Sequence, residues 1–148
     1  MLYLTKSIQI KKGEEMTRKA AREQLFKLIF EAEMKETALK EIFDSFMQRV
    51  AEDELELSNS SMEFIKKYCL GIDEHSEELL NKINNTMEGW SFERIGNVEK
   101  ALLKGAVYEL SYEDTPKEIV INETIELAKK YGDSKSYEFL NGVLAKFV

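Results

Sequence analysis

The stretch Asn97 to Val148, NVEKALLKGAVYELSYEDTPKEIVINETIELAKKYGDSKSYEFLNGVLAKFV, decides how the rest of the chain is read. Three apolar-periodic runs are cut apart by turn chemistry, the pattern of three successive amphipathic helices. In the first run Val98, Ala101, Leu102, Leu103, Ala106, Val107, Tyr108 and Leu110 cover most of a helical circumference, which marks a central, largely buried helix. Asn97 is suited to cap it, and it should end near Tyr112. The only proline, Pro116, follows Thr115, and Glu118 stands three residues after the threonine. That spacing predicts a capping box with proline at the first helical position. Gly132 predicts a left-handed helix end, and Asp133 or Ser134 the start of the last helix. Glu109, Asn122 and Asn141 fall among apolar neighbours and read as polar groups hydrogen-bonded inside the core.

Working back towards the N-terminus, helical periodicity continues, and no Asn-Gly or Asp-Gly hairpin separates alternating strands. Thr17 can cap a first helix running to about Ala32, and a second covers roughly Lys35 to Val50. Ser58 or Ser60 opens a third that extends to about Met87, with Gly71 the place for a kink or break. Gly89 closes it, and Trp90 and Phe92 then read as apolar anchors in the connection. Six or seven helices with short loops predict an all-α fold, a compact bundle of two antiparallel sub-bundles over one core. Residues 16–148 form a single helical domain on this reading, and residues 1–15 an N-terminal extension.

A chain of 148 residues is the size of one domain with one substantial core. No segment approaches the roughly 18 apolar residues of a membrane span, and the first residues lack the apolar core of a signal peptide, so the expected location is cytoplasmic. A single cysteine, Cys69, excludes an intrachain disulfide framework, and its place in the run MEFIKKYCLGI predicts a buried, inert thiol. Searches for catalytic machinery return little. His75, the only histidine, lies among acidic residues, and the chain has no GxxxxGK[ST], GxGxxG or GxSxG motif. One histidine and one cysteine make no recognisable zinc site. Glu123 and Glu126, three apart on INETIELAKK, fit a cap partner and a solvated face better than an acid/base pair. The reading is a non-enzyme with no cofactor and no metal.

The net charge of −7 hides an uneven distribution. Residues 6 to 27 carry seven Lys/Arg against three Glu, a local excess of +4 within an otherwise acidic chain. Such polarity suits one binding face with an acidic remainder that discourages indiscriminate phosphate binding; an ordinary solvated tail is the competing explanation. On the first helix Ala21, Leu25, Leu28, Ile29 and Ala32 form the core stripe, and Arg18 and Arg22 lie one turn apart along its edge. Lys19, Phe26 and Phe30 fall on another side, where an aromatic ring either contacts a base or a protein, or packs inside the bundle. On the helix from Asn97, Lys100 and Lys104 occupy the only clearly polar window, a placement that suits phosphate contacts and equally a plain solvated edge. Glu99 sits in the first turn, where the helix dipole favours a carboxylate whether or not a partner is present.

The segments RKAAREQLFKLIF, VEKALLKGAVYEL, IVINETIELAKKYG and FLNGVLAKF resemble the corresponding motifs of the NusB family of bacterial transcription antitermination factors. The match is strong over about 50 residues of the tail, moderate over residues 17 to 32, and little more than length and helicity between them. The resemblance implies two three-helix bundles and binding of the single-stranded boxA element of nascent RNA as a heterodimer with NusE, a small-subunit ribosomal protein. The pair would act within the RNA polymerase antitermination complex on ribosomal RNA operons. It assigns RNA contact to Arg18, Lys19, Arg22, Lys100 and Lys104, and the NusE side to Phe30 and Glu99. Some members self-associate over the same basic surface, so a homodimer stands among the implied states. Two other functional classes remain: an accessory domain of an RNA methyltransferase system, which uses a similar helical fold, and a purely structural helical module.

Two departures weaken the implied affinity. Ala20 occupies a position that is often basic, and Lys104 stands where arginine is common, offering a point charge in place of a bidentate fork. Residues 1 to 15 extend beyond the usual start of the family. Lys12, Gly13, Glu14 and Glu15 fit purine-rich codons resembling a ribosome-binding site ahead of Met16, which predicts translation from Met16. An intact mass beginning at Met1 would contradict that start.

Overall fold

The computed structural model describes residues 16–55 and 57–147; the extension and start-site expectations for residues 1–15 lie outside the described residues. Seven α-helices, two 3-10 turns and no strand make up the described residues, in agreement with the expected all-helical class. They fall into two compact units, one ending at Asp73 and the other beginning at Glu74. None of the helices is long and apolar enough to cross a membrane.

The first unit contains α1 (Arg18–Lys35), α2 (Leu39–Glu52) and α3 (Asn59–Glu74). Thr17 is extended and its hydroxyl accepts the Ala20 N–H at 3.0 Å, the predicted N-cap. At the other end Glu36 takes the left-handed conformation (φ 53°) and turns the chain, so α2 begins at Leu39 instead of Lys35. Ala38, the residue before α2, has no side chain that can cap it. The Asp73 carboxylate does so from the end of α3, accepting the N–H groups of Leu39 at 3.0 Å and Lys40 at 2.8 Å. Ser58 caps α3 through the Ser61 N–H at 3.2 Å, and the Ser61 hydroxyl donates to the Met16 carbonyl at 3.2 Å.

Leu25, Leu28, Ile29, Phe46, Ile65 and Cys69 are among the buried side chains of this unit. Burial pushes the Cys69 thiol far above the ordinary thiol range, with the nearby Asp73 charge adding to it. Every residue of α1 from Glu23 to Ala32 is buried, so the helix has no solvated outer side over that span. Phe26 and Phe30 are therefore packed, their ring centroids 6.1 Å apart.

The second unit contains α4 (Ser76–Thr86), a 3-10 turn at Phe92–Arg94, α5 (Asn97–Tyr112), α6 (Lys117–Tyr131), α7 (Ser134–Leu144) and a closing 3-10 turn at Ala145–Phe147. The expected long third helix is broken, but at His75; Gly71 is buried inside α3. His75 leaves helical geometry and stacks on Tyr112, with centroids 3.9 Å apart and planes 13° from parallel. Loss of solvent and the facing Glu78 carboxylate push the Tyr112 hydroxyl up to about 12, and the Tyr112 hydroxyl, followed by Lys82, holds Glu78 below the usual carboxylate range. Helix α4 ends at Thr86, ahead of Gly89, which takes a positive φ of 73° in the following turn. Phe92 is buried as expected and its N–H donates to Asn84 Oδ1 at 2.8 Å. Trp90 is not an anchor: it is 59% exposed.

Local chemistry around α5 to α7 differs from expectation in several places. Asn97 is the first helical residue of α5 and Gly96 holds the cap position. The Thr115 hydroxyl does not cap α6; it donates to Glu109 Oε2 at 2.7 Å, which gives the buried Glu109 the internal partner the sequence called for. Gly132 is extended, not left-handed, and is required for space: a Cβ there would lie 2.7 Å from Ser136 Cβ and 2.9 Å from the Ala128 carbonyl oxygen. Asn122 and Asn141 are exposed, not core partners. Asp133 opens α7 with a full capping box, accepting the Ser136 N–H at 2.9 Å while the Ser136 hydroxyl accepts the Asp133 N–H at 3.2 Å.

Candidate nucleic-acid interface

In the first unit the cations expected to meet RNA stand at the start of α1. Thr17 fixes where the helix begins, and this places Arg18 and Lys19 in its exposed first turn and Arg22 one turn further, half-buried. Arg18 donates to the Ser60 hydroxyl at 3.3 Å, and its guanidinium carbon lies 4.1 Å from the centroid of the Phe64 ring. Arg22 approaches the same ring at 5.7 Å. The arrangement presents forked donors at the surface over an apolar, aromatic floor, chemistry suited to phosphate oxygens and to stacking against an unpaired base.

In the second unit Lys100 and Lys104, one turn apart on α5, are both half-buried. Their ammonium nitrogens lie 5.5 Å and 5.4 Å from the centroid of Phe92. Glu99, next to them in the first turn of α5, is also half-buried, and Oε1 accepts the Ser136 hydroxyl at 2.5 Å. Its side chain folds back over Gly96, where an added Cβ would come 2.6 Å from Oε2. Trp90, Arg94, Gly96, Glu99, Ser136 and Phe139 line a shallow cavity of about 350 Å³ in this unit.

Of the seven residues expected to make contacts, Arg18, Lys19 and Arg22 stand together in the first unit, and Lys100, Lys104 and Glu99 in the second. Phe30 differs from them: at 3% exposure its ring is not presented at the surface. Phe64, Ser60 and Phe92 were not legible as site residues. Phe64 reads as one more apolar residue of MEFIKKYCLGI, and nothing in its spacing announces two arginines from another helix. Among the described residues no group of three or more His, Cys, Asp or Glu could hold a metal ion.

A family model described as the NusB family matches residues 19–148. A curated relative from Fusobacterium nucleatum, named transcription antitermination protein NusB, is 42% identical over 144 residues, covering 91% of this chain and 94% of its own. One of the same name from Clostridium botulinum is 34% identical over 141 residues, covering 90% and 100%. Among solved structures, NusB of T. maritima superposes with a TM-score of 0.77 at 30% identity, covering 90% of this chain and 92% of that one. A structure described as the antitermination factors NusB and NusE in complex with dsRNA superposes at 0.75 with 28% identity, covering 88% and 94%.

Proposed function

The chain belongs to the NusB family, and from that premise we propose that it is a non-catalytic RNA-binding antitermination factor. It binds boxA-type single-stranded RNA together with the ribosomal protein NusE and, within the RNA polymerase antitermination complex, supports processive transcription of ribosomal RNA operons in the cytoplasm. The observation that carries the reading is the placement of Arg18 and Arg22 one turn apart at the start of α1, held over the Phe64 ring in a family with a solved complex of NusB and NusE with dsRNA. Arg18, Lys19 and Arg22, with Lys100 and Lys104, contact the RNA through phosphates and through stacking of unpaired bases. Glu99 serves the NusE side from its place in the first turn of α5, with Ser136 orienting the carboxylate. Phe30 meets NusE only if the cover over its ring is displaced on binding.

The test is a titration of boxA-type RNA with the chain alone, with NusE alone and with both, followed by competition with duplex RNA. A large gain in affinity when both proteins are present, and weak competition by duplex, are expected. No RNA binding by the chain, with or without NusE, would favour a purely structural module, and preference for duplex would overturn the single-strand assignment.

A further inference from the structure

The two cation pairs assigned to RNA are built in the same way. Arg18 and Arg22 are four residues apart on one helix and share the ring of Phe64; Lys100 and Lys104 are four residues apart on another and share the ring of Phe92. Both rings are buried and come from a different element than their cations. Both residues also have a further hold. Phe64 packs on Tyr68 with centroids 4.2 Å apart, and the backbone of Phe92 is tied to Asn84 by the 2.8 Å hydrogen bond.

We infer that Phe64 and Phe92 are positioning residues for RNA binding: each ring holds a pair of cationic side chains in a narrow set of rotamers before the nucleic acid arrives. The inference rests on the RNA-contact reading above and deepens it. A free arginine or lysine loses rotamer freedom when it engages a phosphate, which weakens binding; a side chain already held against a ring face loses less. The negative face of the ring supplies the hold, and it stays in place when the outer side of the cation meets an oxygen. Neither ring carries charge, so each acts on how well the cations are placed and not on how many phosphates are neutralised.

That distinction gives a readout that packing alone would not produce. Removing a cation lowers the slope of log affinity against log salt by about 0.7 for single-stranded RNA, whereas disordering the same cation lowers affinity at every salt concentration and leaves the slope unchanged. The experiment titrates boxA-type RNA, with NusE present, at several salt concentrations. Phe64 or Phe92 is replaced by pentafluorophenylalanine, which keeps the ring's shape but reverses its quadrupole. Phe64→Leu, Phe64→Tyr, Arg18→Ala and Lys104→Ala serve beside it, with thermal unfolding of each variant.

Each fluorinated ring should weaken binding about two- to fivefold with an unchanged slope, while the variant still unfolds in a single cooperative transition. Phe64→Leu should do the same on the affinity axis, and Phe64→Tyr, which keeps the quadrupole, should restore wild-type binding. Wild-type affinity with fluorinated rings, while Arg18→Ala or Lys104→Ala weakens binding, would overturn the positioning role and leave the rings as packing. If Arg18→Ala and Lys104→Ala also bind like wild type, the RNA-contact reading itself falls and the positioning role falls with it.

Discussion

Asp73 closes the N-terminus of the helix that begins at Leu39, its two carboxylate oxygens taking the N–H groups of Leu39 and Lys40 at 3.0 Å and 2.8 Å. The two elements are 34 residues apart in sequence, so this contact does what a local cap does and also ties α3 to α2. Asp73→Ala should lower stability by about 0.5–2 kcal/mol, the range for a lost N-cap. Asp73→Asn, which retains one acceptor oxygen, should recover part of the loss in urea unfolding, and an Ala variant as stable as wild type would show the cap to be dispensable.

Glu109, 4% exposed in the last turn of α5, takes a hydrogen bond from the Thr115 hydroxyl at 2.7 Å. Thr115→Val keeps the shape of the side chain and removes the donor. It should cost about 1–3 kcal/mol, since a buried acceptor that loses a partner keeps its desolvation penalty. Chemical denaturation checks it, with a change confined to the midpoint and none in the slope.

Cys69 is fully buried and its thiol is pushed well above the range in which thiolate forms at neutral pH. Ellman's reagent should therefore leave the native protein unlabelled on the timescale of minutes and react at once in denaturant. Rapid labelling without denaturant would mean that α3 opens locally.

Asp133 lies below the usual carboxylate range, first through the Ser136 N–H and then the Ser136 hydroxyl. A carboxyl with a depressed folded value stabilises fully above its unfolded value and loses that contribution as pH falls through the folded one. The loss therefore begins as pH drops below about 4, the ordinary aspartate value. Asp133→Asn keeps a capping oxygen without the charge, so its melting temperature should fall less steeply than that of wild type through this acid range. Parallel melting curves would contradict the assignment.

Where helix ends are set by neighbours in sequence, the residues announce them: Thr17 and Asp133 cap the helices they were expected to cap. Where a distant side chain decides, they do not. The break at His75 comes with stacking on a ring 37 positions away, and the Thr115 hydroxyl is drawn from its own helix start to Glu109. Gly132 is needed because Ser136 crowds it, although a glycine at a helix end reads by default as a left-handed cap. The cations of the site were legible as paired residues at helical spacing. The rings of Phe64 and Phe92 beneath them were not, because a buried phenylalanine carries no local mark of what rests on its face.

The charge on the first turns of α1 is the centre of the account, and the salt dependence of RNA binding by the complex with NusE tests it most directly. Lys19→Glu combined with Arg22→Glu should weaken binding of boxA-type RNA at low salt and reduce the log–log salt slope by about 1.4, two single-strand phosphate contacts, while helical content and NusE binding stay as in wild type. The same affinity and the same slope as wild type at low salt would contradict it.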